Sequence, residues 1–448
     1  MNTLLKMAGI LVAALLLCPD GAWAAAAAPA PKMLHIYGTL GILLVAAVLF
    51  FTEYIPLAVT ATLVPCILST VGIISVKEAW MGFGNTSILT IIGLFMLGEA
   101  TFATGFAQKS ARWVISKAGK SKTSLLIVSF ILIGVMSAFL NNAGITAITL
   151  PMLIAIAREA GMSPSRILLP TAFAASVGGT MTLVGTAPNM VANALILENA
   201  PGVRTFGFFE FGLFGLPLLI VAVIMYIVFS RWLLPPDRED VADVVEEEPV
   251  LRTEKMYVAG GLFLFVIVAM ATGLVPLTSA AMLGAMLAIV TGCISVKEAF
   301  KSVDWTTIFL FAGMLAMSHA MNKSGAARLV ADSVIQIVNE PYVILAIACG
   351  LTAIITNVMS NTATTAVMVP LVIPMALNLG LSPLPFVMGI VASASACFLT
   401  PIATPSNTLV LAAGNYTFMD YVRYGWPLQI VSFIMCMLLI PIIWPFHV

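Results

Sequence analysis

The sequence predicts an all-α polytopic membrane protein, built from two inverted-topology repeats that each contain a re-entrant hairpin and a discontinuous helix. Three observations lead to this fold class. Hydrophobic residues make up 61% of the 448 residues and charged residues only 9%, far below the charged share of about 25% in soluble proteins. Apolar stretches long enough to cross a bilayer recur from Leu34 to Phe446. The chain also repeats itself about its middle.

The same composition argues against several other classes of protein. Net formal charge is zero and no basic patch is present, so we expect no nucleic-acid partner. The six cysteines show no metal-ligand spacing, and we interpret them as small core residues. The chain lacks HExxH, GxSxG and paired intramembrane aspartates, which leaves an intramembrane enzyme without an evident nucleophile and base. We therefore expect no enzyme.

The apolar stretches define twelve membrane segments. We place them at residues 34–51, 54–74, 85–107, 123–157, 167–197, 212–232, 256–274, 276–293, 305–322, 342–378, 384–413 and 427–446. Segments 123–157 and 342–378 are too long for single spans, and each carries a polar cluster halfway along. Such interruptions are typical of hairpins that enter and leave the membrane on one side.

Treating both segments as hairpins places most of the 20 Lys and Arg residues on the cytoplasmic side, as the positive-inside rule requires. We therefore expect the protein to lie in the lipid bilayer of a bacterial-type inner (plasma) membrane. Residues 1–33 form either a signal peptide or an uncleaved first helix, followed by an Ala/Pro-rich stretch. Both alternatives place residue 25 outside the cytoplasm.

The repeat divides the chain into a first membrane repeat at 34–234, a cytoplasmic linker at 235–255 and a second membrane repeat at 256–448. The hexapeptide Ile-Ser-Val-Lys-Glu-Ala occurs at Ile74–Ala79 and again at Ile294–Ala299. The first copy lies outside and the second inside in the predicted topology, so the two halves are inverted. Further matches include Gly93 with Gly313, Thr186 with Thr404 and Asn189 with Asn407.

Each half contributes two polar interruptions: a hairpin tip, at Asn141-Asn142 or Ser360-Asn361-Thr362, and a helix break, at 185–189 or 403–407. Gly and Pro open a helix at such a break and expose its carbonyls and amides. Helix N-termini favour an anion, and freed carbonyls and hydroxyls ligate sodium. Paired interruptions in inverted halves indicate a secondary transporter with a site near the midplane. The alternatives are polar contacts between helices and a passive anion channel.

Lys and Arg are absent from the apolar centres, so a dianion would need co-transported sodium to neutralise it. A proton-coupled or uncoupled permease is the alternative within transport. It would depend on Glu99 or on its repeat counterpart His319, which are intramembrane ionisable residues outside the interruptions.

The tip Ser360-Asn361-Thr362 and the breaks Gly-Thr-Ala-Pro-Asn and Ala-Thr-Pro-Ser-Asn resemble motifs of the divalent anion/sodium symporter family, within the wider ion transporter group that includes citrate carriers and arsenite permeases. The resemblance covers nearly everything from Leu34 to Phe446. It implies a scaffold and a mobile transport domain, a homodimer and an elevator movement. It implies one sodium site at Ser137, Asn141, Asn142 and the Gly185 carbonyl, a second at Thr356, Ser360, Asn361 and the Ala403 carbonyl, and a substrate site at Asn142, Asn361, Thr362, Thr404 and Pro405.

The first tip departs from the family's Ser-Asn-Thr pattern because it reads Asn141-Asn142-Ala143. Ala143 has no hydroxyl to donate to a substrate carboxylate. This asymmetry fits sulfate or phosphate about as well as a C4-dicarboxylate. The sequence thus predicts sodium-coupled symport of a small divalent anion, of the C4-dicarboxylate or sulfate class, with no cofactor besides the co-transported sodium.

Overall fold

The first half of the chain forms eleven helices in the computed structural model, which describes residues 33–117, 121–238, 251–336, 338 and 340–447. Their bounds are α1 (Met33–Thr52), α2 (Leu57–Thr70), α3 (Val76–Trp80), α4 (Thr86–Ala103), α5 (Phe106–Ile115), α6 (Lys122–Ser137), α7 (Asn142–Glu159), α8 (Ser165–Gly179), α9 (Ala187–Asn199), α10 (Gly212–Val228) and α11 (Ser230–Leu233).

The second half repeats this order after a short 3₁₀ turn at Thr253–Lys255. Its helices are α12 (Met256–Thr272), α13 (Leu277–Val290), α14 (Val296–Ser302), α15 (Trp305–Ser324), α16 (Ala326–Ile335), α17 (Pro341–Thr356), α18 (Asn361–Asn378), α19 (Leu384–Ser395), α20 (Pro405–Ala413) and α21 (Phe418–Ile443). Helices α1 to α10 therefore correspond one by one to α12 to α21.

Several of these helices suit a membrane environment. Five helical stretches of the described residues are long and apolar enough to cross a bilayer: Met33–Thr52, Val76–Ala103, Thr253–Thr272, Asn361–Asn378 and Phe418–Ile443. Shorter apolar helices, including α2, α6, α10, α13, α17 and α19, complete the two bundles. The fold is that of an all-α polytopic membrane protein.

Both predicted hairpins and both discontinuous helices are present. Helices α6 and α7 meet at the tip 138–141, and α17 and α18 meet at the tip 357–360. Helices α8 and α9 are separated by the break 180–186, and α19 and α20 by the break 396–404. Each half then crosses the membrane an odd number of times, so the second repeat begins on the opposite side and has inverted topology.

The two repeats interlock. Helix α2 packs against α15 of the other repeat, and α4 packs against α13. Within the repeats, α6 packs on α8 and α17 on α19. Helices α2, α4, α13 and α15 thus link the two halves. The α6–α8 and α17–α19 contacts support the hairpins and the discontinuous helices.

The predicted boundaries were wrong in several places. Short helices α3 and α14 form on the repeated hexapeptide, where Ser75 with Glu78, and Ser295 with Glu298, make complete capping boxes. Segment 85–107 runs into a separate amphipathic helix, α5, because Gly105 adopts a left-handed φ of 77° and ends α4 nearby. Segment 305–322 agrees with α15 to within two residues, but the amphipathic helix α16 that follows Gly325, at a φ of 81°, was not predicted. The last helix begins at Phe418, earlier than the predicted residue 427.

Two sequence predictions concern residues that the structure does not describe. The alternatives for residues 1–33 fall outside it except at Met33, which begins α1. Of the predicted linker 235–255, the structure describes 235–238 and 251–255.

Candidate functional site

A cavity of about 480 Å³ lies where the two hairpin tips meet the two helix breaks. It brings together all five residues of the predicted substrate site, from both halves of the chain. The lining residues from the tips are Asn141, Asn142, Ala143, Gly144, Ser360, Asn361 and Thr362, and those from the breaks include Gly185, Thr186, Ala403, Thr404 and Pro405.

Beneath the first tip, a buried hydroxyl connects the hairpin to the discontinuous helix. Ser137 Oγ lies 2.5 Å from Asn142 Oδ1 and 2.8 Å from the Ala175 carbonyl oxygen. Asn141 Oδ1 accepts hydrogen bonds from the backbone N–H groups of Ala143 and Gly144, at 2.9 and 3.4 Å, and so caps α7. Three predicted ligands of the first sodium site, Ser137, Asn141 and Asn142, therefore lie together where α6 ends and α7 begins.

The second tip repeats this arrangement. Thr356 Oγ1 lies 2.9 Å from Asn361 Oδ1 and 2.6 Å from the Ala394 carbonyl oxygen. Ser360 Oγ accepts a hydrogen bond of 3.2 Å from the N–H of Ala363 and caps α18. In both halves the hydroxyl precedes the tip asparagine by five residues and contacts the carbonyl of an alanine in α8 or α19. Two stretches of chain that are far apart in sequence thus form the same local structure.

A buried asparagine holds each helix break in place. Asn189 Nδ2 donates to the carbonyls of Gly179 and Thr182, at 3.0 and 2.6 Å. Asn407 Nδ2 donates to the carbonyls of Cys397 and Thr400, both at 2.9 Å. Because the opened backbone must find partners inside the protein, these amides stabilise the break.

Each break is also tied to the tip of its own half. Thr182 Oγ1 donates to the Ala138 carbonyl, and Thr400 Oγ1 donates to the Asn357 carbonyl at 2.5 Å. A Cβ atom on Gly185 would lie 3.0 Å from the Ala138 oxygen, so this glycine permits the close approach of break and tip. The backbone of Gly185 therefore lies close to the first tip.

The positive charge around the cavity comes from the backbone. Helices α7, α9, α18 and α20 all begin at its wall, and helix N-termini carry a partial positive charge. Among the described residues that line it, none is basic and two are acidic, Glu99 and Asp304. Asp304 caps α15 through Thr306 and Thr307. An anion would therefore meet amides and hydroxyls instead of a cationic side chain.

The ligand set at the tips is chemically suited to sodium. All of its members are neutral oxygens from hydroxyls, amides and backbone carbonyls, and hard cations prefer oxygen ligands. In the part of the chain that the structure describes, three His, Cys, Asp or Glu side chains nowhere converge as a metal centre would need. The sodium and substrate roles of the named residues stay predictions.

The structure adds residues that the sequence interpretation did not place at the site. Thr186 lines the cavity, and its match with Thr404 in the repeat would have identified it. Glu99 lies on the cavity wall, although it is outside the interruptions. Phe102 packs on the first tip, where a Cβ atom on Gly144 would be 2.7 Å from its ring. His319 lines a separate, smaller cavity.

The family model described as citrate transporter, CitMHS, matches residues 47–380 and 360–446. An uncharacterized transporter, YfbS of Escherichia coli, is 24% identical, with 91% of this chain and 99% of that protein aligned. The sodium-dependent dicarboxylate transporter SdcS of Staphylococcus aureus is 23% identical, with 91% of this chain and 85% of that protein aligned.

Two solved transporter structures share the fold. The YdaH transporter of Alcanivorax borkumensis has a TM-score of 0.64 at 15% identity, covering 92% of this chain and 98% of that one. MtrF of Neisseria gonorrhoeae has a TM-score of 0.63 at 14% identity, covering 94% and 96%. Family match, relatives and fold agree with the resemblance found in the tip and break motifs. The chain is a multi-pass membrane transporter that belongs to the citrate transporter family, within the ion transporter superfamily.

Proposed function

We propose that this transporter couples sodium to the symport of a small divalent anion, of the C4-dicarboxylate or sulfate class, by an elevator-type movement of the site across the membrane. The observation that carries the proposal is that the two hairpin tips have the same hydroxyl–asparagine contact and border one cavity. Ser137 with Asn142 in one half, and Thr356 with Asn361 in the other, supply equivalent oxygen ligands beside the four helix N-termini.

The electrostatics of the cavity support this coupling. Four helix N-termini, each equivalent to roughly half a positive charge, offer on the order of two charges to a dianion. Two sodium ions at the tips would add further positive charge next to the same space. Since no described residue of the lining is basic, anion affinity depends on those ions. Sodium and substrate should therefore bind cooperatively.

The cavity favours an organic dianion over sulfate. Its volume of about 480 Å³ falls in the usual range for small organic ligands, roughly 300–1,000 Å³. Thr362 offers a hydroxyl at the second tip, whereas Ala143 offers none at the first. This asymmetry fits either class of anion, so the preference for an organic dianion rests on the cavity volume. The name of the relative SdcS, a sodium-dependent dicarboxylate transporter, agrees with it.

Thermal unfolding of the purified protein tests the proposal. Succinate, malate, citrate, sulfate, phosphate and arsenite are each added in sodium chloride or in choline chloride. We expect one anion class to raise the melting temperature only with sodium, because a ligand stabilises the state that binds it. Uptake into proteoliposomes under a sodium gradient should follow the same specificity. Stabilisation and uptake that are equal in choline would contradict sodium coupling.

Proton coupling is the second candidate, and the position of Glu99 favours it. This carboxylate of α4 lies on the cavity wall, where it can meet the substrate. If protons drive transport, a proton gradient supports uptake without sodium, and Glu99→Gln abolishes that uptake. If sodium drives it, Glu99→Gln leaves the sodium dependence in place.

We further propose that the protein lies in the inner (plasma) membrane as a homodimer, with 235–255 as a cytoplasmic linker between repeats at 34–234 and 256–448. The inverted topology and the predicted bias of Lys and Arg support this orientation. Native mass measurement in detergent tests the dimer, and a monomer alone would contradict it.

A further inference from the structure

A second polar cluster lies at the end of α15 that points away from the cavity. Asp304 and Thr307, at the start of α15, line the cavity, whereas His319 lies near the end of the helix, roughly 20 Å further along. His319 Nε2 is 3.3 Å from Glu78 Oε1, and His319 Nδ1 is 3.4 Å from Glu198 Oε1. These three side chains line a cavity of about 130 Å³.

The cluster joins parts that the proposed transport cycle separates. His319 is in α15, one of the helices that link the repeats, and Glu78 is in α3, which packs on α15. Glu198 is near the end of α9, the second half of a discontinuous helix that lines the substrate cavity. Next to it, Asn199 Oδ1 accepts from Ser318 Oγ at 2.6 Å and from Asn322 Nδ2 at 2.5 Å. The end of α9 is therefore fastened to α15.

The repeat supports the interpretation of this contact as one state of a cycle. By sequence, α9 and α15 correspond to α20 and α4, and His319 corresponds to Glu99. Helix α9 packs against α15, whereas α20 and α4 make no comparable contact among the described residues, and the 480 Å³ cavity is lined by Glu99 of α4 and by Pro405 at the start of α20. One end of the molecule is thus open and the other closed. In inverted repeats the opposite state exchanges these arrangements, so α9 would leave α15 when α20 approaches α4.

We propose that Glu78, His319 and Glu198 form a proton-binding latch, in which protonated His319 bridges the two carboxylates and holds the closed end of the transporter shut. A neutral imidazole has one N–H and can donate to only one carboxylate, whereas an imidazolium donates to both. Histidine is the side chain that changes charge near neutral pH. Acidification therefore favours the state seen here. The inference rests on the elevator movement of the proposed function.

The surrounding charges agree with a proton at this place. Lys323 Nζ lies 2.7 and 2.9 Å from the two oxygens of Glu78 and balances that carboxylate. Glu198 then needs the charge of His319. Helices α2 and α18, which also pack on α15, contain no charged residue, and neither does the turn Met81–Gly84. The other elements packed on α15 contain His35, Lys77, Glu99, Arg328 and Asp332, and none of these lines the small cavity. Glu78 and Glu198 are the charged groups that pair with His319, and Lys323 pairs with Glu78.

The distance between α3 and the end of α9 tests the latch without any ligand. Spin labels are placed at the exposed positions Lys77 and Pro201, in a chain whose six cysteines are replaced by alanine. As pH falls from about 8.5 to about 5.5, we expect the short-distance population to rise about threefold or more. His319→Gln and Glu198→Gln should each remove this pH response. Equal responses in wild type and His319→Gln overturn the proposal.

The repeated hexapeptide provides a matched control. Glu298→Gln changes the equivalent carboxylate of the other repeat and should leave the pH response intact, whereas Glu78→Gln should reduce it. Sodium-dependent uptake of succinate or citrate is measured separately. A pH-dependent distance without such uptake contradicts the proposed function and not the latch. Sodium-dependent uptake with a pH-independent distance overturns the latch alone.

Discussion

At the scale of single residues, the site depends on neutral polar side chains that hold irregular backbone inside a membrane protein. Asn189 and Asn407 are fully buried, and each amide nitrogen donates to two carbonyls of a helix break. Neither Oδ1 accepts a hydrogen bond from the described residues, so each asparagine contacts its break through the amide nitrogen alone. The exposed carbonyls of the breaks are consequently held in fixed directions.

Asn407→Asp should destabilise the protein. The carboxylate cannot donate to the carbonyls of Cys397 and Thr400, and each buried group left without a partner costs about 1–3 kcal/mol. We expect a clear fall in melting temperature in detergent. Asn378→Asp, at an exposed asparagine near Asp332, is the control. A melting temperature no lower than that of the control would contradict the role of Asn407.

Thr356→Ala should weaken sodium binding and leave the fold in place. It removes the hydroxyl that lies 2.6 Å from the Ala394 carbonyl and 2.9 Å from Asn361 Oδ1. A lost contact to a charged ligand costs about 1.5–3 kcal/mol, so the sodium concentration for half-maximal stabilisation should rise about tenfold or more. Thr356→Ser keeps the hydroxyl and should restore the affinity. Equal sodium titrations for Ala and Ser would exclude this hydroxyl as a ligand.

At the scale of helices, close approach between the repeats decides the architecture. A Cβ atom on Gly313 of α15 would lie 2.0 Å from the Ala61 carbonyl oxygen of α2. At the matching place, a Cβ atom on Gly93 of α4 would lie 2.9 Å from the Ala281 oxygen of α13. Small residues at helix contacts are the usual means of tight packing in membranes. Two equivalent contacts therefore link the halves.

Gly313→Ala should disturb this packing. The added methyl group would overlap the backbone of α2, and overpacking of this kind typically costs about 1–3 kcal/mol. We expect a lower melting temperature than for Gly261→Ala, because Gly261 of α12 has no neighbouring atom within 4 Å of its Cβ position. Equal melting temperatures for Gly313→Ala and Gly261→Ala would contradict the tight contact between α2 and α15.

At the scale of the whole molecule, a residue of the predicted linker 235–255 connects the two repeats. Arg252 N–H donates to the Ala103 carbonyl at the end of α4, at 2.9 Å. Its guanidinium makes two hydrogen bonds of 2.9 Å with the carboxylate of Glu298 in α14. One residue near the end of the predicted linker thus contacts both halves outside the apolar helices.

This ion pair gives a pH dependence of stability. Hydrogen bonds from Arg252 and Ser295 lower the pKa of Glu298 from 4.5 to about 2. A carboxylate with a lowered pKa stabilises the folded state above its ordinary pKa, and this contribution is lost as pH falls towards the folded value. The melting-temperature difference between wild type and Arg252→Gln should shrink from about pH 6 to about pH 3. Lys301→Gln is the control, and a constant difference would contradict the pairing.

The sequence by itself determined the class, the repeat and the interruptions, because these depend on local composition. The length of the apolar stretches predicts the spans. The polar tips Asn141-Asn142 and Ser360-Asn361-Thr362 interrupt these stretches whatever the packing of the helices. The capping boxes at Ser75 and Ser295 were readable in the same way, although the short helices there were not predicted.

Only the tertiary structure decided which residues meet across the repeats. Glu99 and His319 occupy equivalent positions in sequence, yet Glu99 lines the 480 Å³ cavity and His319 lies between Glu78 and Glu198. The reason is physical: the face that a helix presents, and whether the opposing helix is near or far, follow from packing between segments more than 100 residues apart. A local pattern contains no information about that separation, so open and closed ends become visible only in the folded molecule.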